Sequence, residues 1–236
     1  MKILQQGAEA IIYQNNNQVI KDRIPKSYRL KILDEAIRKR RTKKEKKLLE
    51  KVSTLIPAPE PEKDSEKFKI TMPFIKGKKL SEHLDNLKNA NQICKKVGEQ
   101  TAIIHDNHII HGDLTTSNMI LSSNELLNRV GERFHLSKNN NNKSEIGRLG
   151  GKNAKATREN NKLYFIDFGL GKQTEKPEDK AVDLHLIKQA LEARHFKNYE
   201  SFWKSFLQGY KKSKNAKQVL ERLEKVEARG RYKGKH

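Results

Sequence analysis

The chain has 236 residues, 34% of them apolar and 33% charged, with a formal net charge of +21. That length suits one domain of two lobes with a real core, and the single cysteine, Cys94, excludes an internal disulfide or a cysteine-ligated metal cluster, which fits a reducing compartment. The N-terminus lacks the apolar core of a signal peptide and no apolar run is long enough to span a bilayer, so the reading is of a cytoplasmic protein, nuclear if eukaryotic, with no membrane partner.

Residues 1–13 read as a hairpin arm around Gln5-Gln6-Gly7-Ala8-Glu9-Ala10. Asn15-Asn16-Asn17 makes a turn, and Gln18-Val19-Ile20-Lys21 a strand ending in a lysine. Residues 30–52 are helical in composition, with few β-branched positions and neither Gly nor Pro. Ile32, Leu33, Ala36 and Ile37 give that helix an early apolar stripe, and Leu48, Leu49 and Val52 a late one. Between them runs a basic stretch in which Glu45 is the one acid, and Lys21 is a candidate partner for it; the remaining cations face solvent or an RNA backbone.

Pro57-Ala58-Pro59-Glu60-Pro61 is a stiff connector. Phe68-Lys69-Ile70-Thr71-Met72 alternates as a strand, and Met72-Pro73-Phe74-Ile75-Lys76-Gly77 has the composition of a hinge. A helix is expected over 80–87 with Ser81 as a possible cap, then one with Ile93, Val97, Ile103 and Ile104 on its buried face. His105 and His108 read as packed or surface histidines. Met119-Ile120-Leu121 and the run 163–166 have strand character. The segment 122–161 between them, with Asn139-Asn140-Asn141-Asn142 and many cations, is too long for a compact hairpin and is expected to be mobile or a basic arm. Ala181-Val182-Asp183-Leu184 opens a helix with Leu184, Ile187 and Leu191 on one face. Phe202, Trp203, Phe206 and Tyr210 form an aromatic stripe, and Val219, Leu220, Leu223 and Val226 stripe a last helix. The tail 227–236 carries Arg229, Arg231, Lys233 and Lys235 around Tyr232, a flexible cationic strand suited to RNA phosphates and one stacked base.

The charge is concentrated in three places. Residues 21–51 hold fourteen basic and five acidic residues, 122–162 nine and four, and 210–236 ten and three, while the rest balance. Three basic segments around a neutral body suggest a polyanionic partner, most simply nucleic acid. Taken singly, each segment reads equally well as solvated helix surface.

The chemistry sits in two stretches. His111-Gly112-Asp113-Leu114-Thr115-Thr116-Ser117-Asn118 precedes one apolar run, and Asp167-Phe168-Gly169 follows the other. Asp113 and Asn118 are five apart, as in the catalytic loop of kinases, where the Asp takes the acceptor proton and the Asn holds magnesium; the Asp of Asp-Phe-Gly bridges magnesium to phosphates. Lys21 stands where a strand lysine pairs the α- and β-phosphates, with Gly7 in the place of the phosphate-covering loop, though G-x-G-x-x-G is not matched. Adenine is placed at the hinge, at Met72, Phe74 and Ile75. The Ala-Pro-Glu that ends an activation segment does not occur, and Gly112 replaces the Arg that grips a phosphorylated loop. Asp183 either accepts the backbone N–H groups of the catalytic loop or is an exposed first-turn acid.

These residues, with Ile20 to Arg29, Arg41-Thr42 through Glu45, Glu178-Asp179-Lys180-Ala181-Val182-Asp183-Leu184 and Arg229-Gly230-Arg231, give a chain that resembles the small atypical kinases of the KEOPS (EKC) complex, relatives of the RIO kinases. The resemblance implies an α+β, compact bilobal protein-kinase-like fold: a small β-rich N-lobe with one long helix over 1–75, and a mainly α-helical C-lobe over 76–236 lacking the usual activation segment. It implies an atypical Ser/Thr kinase or ATPase that binds ATP and magnesium. The KEOPS threonylcarbamoyl-transferase subunit is expected on the C-lobe side, a small KEOPS subunit on the N-lobe, and tRNA as client for N6-threonylcarbamoylation of adenosine 37 in tRNAs reading ANN codons. The catalytic residues map to Asp113, Lys21 and Glu45, nucleotide contacts to Gly7, Lys21, Met72, Phe74, Ile75, Asn118 and Asp167, metal ligands to Asn118 and Asp167, and nucleic-acid contacts to Arg229, Arg231, Lys233 and Lys235. A RIO-type ribosome-assembly kinase and a catalytically dispensable tRNA-binding scaffold are the alternative readings.

Overall fold

A computed structural model describes residues 1–63, 66–122 and 162–231. The expected insertion, apart from Ser122, and Lys233 and Lys235 of the tail lie outside the described residues. The chain opens with an antiparallel sheet in the order β1 (Lys2–Gln6), β2 (Ala10–Asn15), β3 (Gln18–Arg23), β4 (Lys69–Pro73). Its turns are those read from the Gly7 and Asn15-Asn16-Asn17 segments, and Asn16 takes a left-handed φ of 51° there. Between β3 and β4 runs α1 (Lys31–Ser53), 23 residues long.

The inner face of α1 differs from expectation. Its buried residues are Asp34, Thr42, Glu45, Leu48, Leu49 and Val52, while Ile32 is 88% exposed and Leu33 53%. The late stripe packs into the core as expected. The early stripe is displaced because polar partners stand on this side, so the helix turns Glu45 toward Arg23 of β3 and Asp34 toward the loop after it, where Asp34 accepts the Lys26 N–H at 3.2 Å, with Arg38 Nε at 2.6 Å.

The mainly helical C-lobe follows. β5 (Lys78–Lys79) leads into α2 (Leu80–His83), which passes into a 3-10 turn at Leu84–Asn86, so the expected eight-residue helix is two short pieces; Lys79, not Ser81, is the N-cap residue. α3 (Ala90–Asp106) buries Ile93, Val97 and Ile104, but Ile103 is 41% exposed. β6 (Ile109–Ile110), β7 (Met119–Ser122), β8 (Lys162–Phe165) and β9 (Lys172–Gln173) make two small sheets, β5-β7-β8 and β6-β9. Register pairs Met119 with Phe165 and Leu121 with Leu163, so the two motif loops leave adjacent strands.

α4 (Pro177–Arg194) starts four residues before the expected Ala181, with Pro177 at its first position, where a missing N–H costs nothing. α5 (Tyr199–Tyr210) and α6 (Ala216–Arg231) complete the fold. The aromatic stripe of α5 is core: Phe202, Phe206 and Tyr210 are buried, and Trp203, Phe206 and Tyr210 stack in sequence. α3 and α5 cross at glycines. A Cβ on Gly98 would lie 2.0 Å from the Phe206 carbonyl oxygen, and one on Gly209 2.0 Å from that of Lys95. Only glycine lets two helix backbones approach so closely.

Candidate active site

Alternate residues of a strand share a face. Lys21 and Arg23 of β3 therefore both point toward α1, where Glu45 receives them. Lys21 Nζ lies 2.7 Å from Glu45 Oε1, and Arg23 Nη2 2.5 Å from Glu45 Oε2. All three are buried. Lys21 Nζ is also 2.7 Å from Asp167 Oδ1. Burial works against the Lys21 charge, but Glu45 and Asp167 outweigh it and raise its pKa above the ordinary 10.5. Burial likewise disfavours ionised Asp167, yet the Lys21 ammonium and the Gly169 N–H, 3.1 Å away, hold its carboxyl below the ordinary 3.8. Asp167 adopts a φ of 62°, a strained conformation of the kind that clusters at functional sites.

The second half of the site is the loop after β6. Asp183 of α4 is fully buried and accepts the N–H groups of His111 at 2.6 Å and Gly112 at 2.8 Å. It braces the loop and is not an exposed first-turn acid. His105 supports it from α3, with Nε2 3.3 Å from Asp183 Oδ2 and Nδ1 2.9 Å from the Tyr210 hydroxyl. Gly112 has a φ of 79°, and a Cβ there would lie 2.4 Å from the Leu170 carbonyl oxygen. An arginine at this position would collide with the segment after Asp-Phe-Gly, which explains its replacement.

His111 laces the two loops together. Its Nε2 donates to the Ile166 carbonyl oxygen at 3.0 Å, and its Nδ1 accepts the Asp113 N–H at 3.3 Å. Ile166 N–H in turn donates to the Asn118 carbonyl oxygen at 2.9 Å. Burial pushes the His111 pKa below the ordinary 6.5 despite nearby Asp183 and Asp167, so the ring is neutral and both bonds fit one tautomer. Asn118 Nδ2 donates to both the Asp113 carbonyl and Asp113 Oδ2 at 2.9 Å. This orientation leaves Asn118 Oδ1 without a hydrogen bond among the described residues, as is Asp167 Oδ2. These are two hard oxygen donors, a kind that suits a magnesium ion taking its other ligands from phosphates and water. The donor set therefore fits the ion.

The other expected site residues are placed as follows. Gly7 lies in the β1–β2 turn and donates its N–H to the Ala10 carbonyl at 3.0 Å. Met72, Phe74 and Ile75 are half-buried at the passage between lobes, but the Phe74 N–H is engaged by the Asn17 carbonyl oxygen at 2.9 Å. The expected tail, 227–236, begins five residues too early: α6 continues to Arg231, and Arg229 is in that helix, pairing with Glu178 at 2.6 Å. Arg23 was not among the expected site residues; its period-two spacing from Lys21 was the available signal. Nor were Glu9, which joins Arg23 and Arg41 to the β1–β2 turn, or the contact of His195 with Asp85 at 2.6 Å and with Thr116 of the loop before β7 at 3.4 Å.

A RIO-domain family profile matches residues 6–127. The KEOPS complex subunit Bud32 of Pyrococcus abyssi is 32% identical over 250 aligned positions, covering 99% of this chain and 97% of that protein. The chain belongs to the Bud32 family of RIO-domain proteins. It also covers a part of longer relatives of that family. A probable bifunctional tRNA threonylcarbamoyladenosine biosynthesis protein of Methanobrevibacter smithii is 36% identical, with 98% of this chain matching 36% of that one. Among solved structures, the Rio2 kinase of Chaetomium thermophilum, in a complex with ADP, Mg2+ and phosphoaspartate, superposes with a TM-score of 0.58 over 99% of this chain and 72% of that one, at 13% identity. That likeness gives the bilobal, RIO-kinase-like fold, and the Lys21–Glu45–Asp167 cluster lies between its lobes.

Proposed function

We propose that this Bud32-family chain is the ATP-dependent kinase or ATPase subunit of a KEOPS assembly, supporting threonylcarbamoylation of adenosine 37 in tRNAs reading ANN codons. The observation that carries the reading is Lys21 Nζ held 2.7 Å from both Glu45 and Asp167, with the Asp167 segment joined to the Asp113–Asn118 loop through the Ile166 N–H. Lys21, positioned by Glu45, neutralises nucleotide phosphates that lie under the turn at Gly7. Met72 and Ile75, with the Phe74 side chain, contact adenine. Asn118 and Asp167 hold magnesium, which when bound withdraws charge from the phosphate oxygens. Asp113, its carboxylate oriented by Asn118 Nδ2, directs a water or a Ser/Thr hydroxyl and accepts its proton. Thr115 stands where many kinases have a phosphate-binding lysine, so turnover by the isolated chain is slow.

The partner surfaces follow from exposed apolar residues. Tyr28, Leu30, Ile32 and Leu33 form such a group on the N-lobe and suit the small KEOPS subunit. Leu170, Val182 and Phe196, 41–68% exposed on the C-lobe, suit the transferase subunit. The names of the Pyrococcus and Methanobrevibacter relatives support this assembly and client. Arg231, Lys233 and Lys235 add contacts to RNA phosphates, whereas Arg229 is held by Glu178. The test is ATP hydrolysis by the purified chain, alone and with tRNA and the transferase subunit. Asp113→Ala and Asp167→Ala proteins should lose hydrolysis and fail to restore tRNA modification. Full modification by either would favour the scaffold reading, and copurification with pre-ribosomes would favour the ribosome-assembly one.

A further inference from the structure

The outward side of α1 carries Lys39, Arg40, Lys43, Lys44, Lys47 and Lys51, all exposed. At 100° per residue they occupy about 140° of the helix circumference, opposite the buried Thr42, Glu45, Leu48, Leu49 and Val52. With a rise of about 1.5 Å per residue, the ridge from Lys39 to Lys51 is about 18 Å long. Glu50 is the one acid that intrudes on it.

These charges are uncommitted. Among the described residues none of the six side chains makes an ion pair or a hydrogen bond. Some cations elsewhere are matched, as Lys67 with Glu35 and Lys212 with Glu99, and others, such as Lys204 and Lys211, also lack an ion pair among the described residues; what sets the ridge apart is six of them on one helix face. On α1 itself, Arg38 and Arg41 are turned away to Asp34 and Glu9. Spacings of three and four between like charges recur along the ridge, and each such pair weakens a helix. Folding therefore gains nothing from the arrangement. A polyanion would relieve it.

The kind of polyanion follows from what the ridge lacks. Protein interfaces have apolar or aromatic anchors at their centres and are poor in lysine; exposed Ile32, Leu33 and Ala36 continue this face toward the helix N-terminus, but from Lys39 to Lys51 the outward arc carries no apolar side chain. Lysines and arginines along one exposed line match a phosphate backbone, which is contacted without reference to base sequence. We infer that the outward ridge of α1 is a second RNA contact of this protein, on the N-lobe, that binds the phosphate backbone of the client RNA. The inference rests on the tRNA reading for the identity of that client.

The test uses the full chain, an unmodified tRNA transcript with an ANN-reading anticodon, and affinity measured from 50 to 200 mM salt. One variant is Lys39→Gln/Lys43→Gln/Lys47→Gln. A charge-matched control is Lys197→Gln/Lys204→Gln/Lys211→Gln, at and beside α5. Glutamine is a good helix former, so the unfolding midpoint checks that each fold is intact. Loss of three phosphate contacts lowers the slope of log affinity against log salt by roughly 2–3, so the gap between wild type and ridge variant narrows by about 15–40-fold across that range. The control is expected to keep most of the wild-type slope. Equal slopes for wild type and ridge variant would overturn the inference, as would equal losses in both variants or a loss that does not depend on salt. A ridge variant that binds tRNA normally but no longer holds the transferase subunit would make the ridge a protein interface. If wild type itself binds no tRNA, the client reading fails first, and the ridge inference with it.

Discussion

Arg23→Met tests the reasoning about the buried charge cluster most directly. Lys21, Arg23, Glu45 and Asp167 carry two positive and two negative charges, and Lys21, Arg23 and Glu45 are 7%, 4% and 1% exposed. Methionine fills similar space without charge, leaving Glu45 Oε2 buried without the partner it has at 2.5 Å. Removing one member of a buried ion pair costs about 3–5 kcal/mol. Lys21 still neutralises the other oxygen, which places the cost near the lower end, about 3 kcal/mol. For a protein of this size that is a fall of about 6–12 °C in Tm. Glu45 is then free to turn, and Lys21 loses a fixed position, which is expected to cost on the order of a hundredfold in ATP turnover. Scanning calorimetry and a steady-state ATPase assay read the two effects. A cycle with Glu45→Gln should show a coupling of about 1 kcal/mol or more, and Arg23→Lys should recover only part of the loss because an ammonium cannot reproduce the guanidinium fork. A Tm within 2 °C of wild type, with strictly additive single changes, would refute the argument.

The remaining expectations concern the catalytic loop and the core. Asp183→Asn keeps one acceptor for the His111 and Gly112 N–H groups and places an NH2 group against the other. It should lower Tm by several degrees in calorimetry and reduce turnover more than it raises the KM for ATP. The depressed pKa of His111 gives a sign to the acid side of the stability curve. The unfolded chain takes up a proton as pH falls through about 6.5 while the folded protein does not, so stability present at neutral pH is lost as pH drops below 6.5. Urea titrations at pH 7.5 and 5.5 should show that loss, and it should be smaller in His111→Gln. Cys94 is 3% exposed, and burial pushes its thiol up to about 12. The native protein should resist iodoacetamide and react only after unfolding, as followed by intact mass.

Much of the site was legible because its signals are local. The spacing of Asp113 and Asn118 and the Asp-Phe-Gly fix their own loop geometry, and Glu45 stood out as one acid among cations. What was illegible depends on distant partners. Ile32 and Leu33 look like core residues by period alone, yet the face a helix buries is decided by the sheet opposite it, here basic. His195, Asp85 and Thr116 meet from separations of 79 and 110 residues with no motif to announce them. The start of α4 was available from Pro177, and the end of α6 was obscured because Glu178 pairs with Arg229 and Arg222 from the neighbouring helix.

The crossing of α3 and α5 at Gly98 and Gly209 has an architectural consequence for the cleft. With no side chain between the two backbones, their separation has no adjustable spacer and tolerates no gradual drift in residue size. The C-terminal end of α3 is tied to the end of α5 and the turn after it, where Ser213 donates to Asp106 at 2.6 Å and Tyr210 meets His105. Because His105 leans on Asp183, the position of the reactive loop is referenced to this incompressible joint, so even Gly209→Ala, far from any nucleotide, should be felt at Asp113.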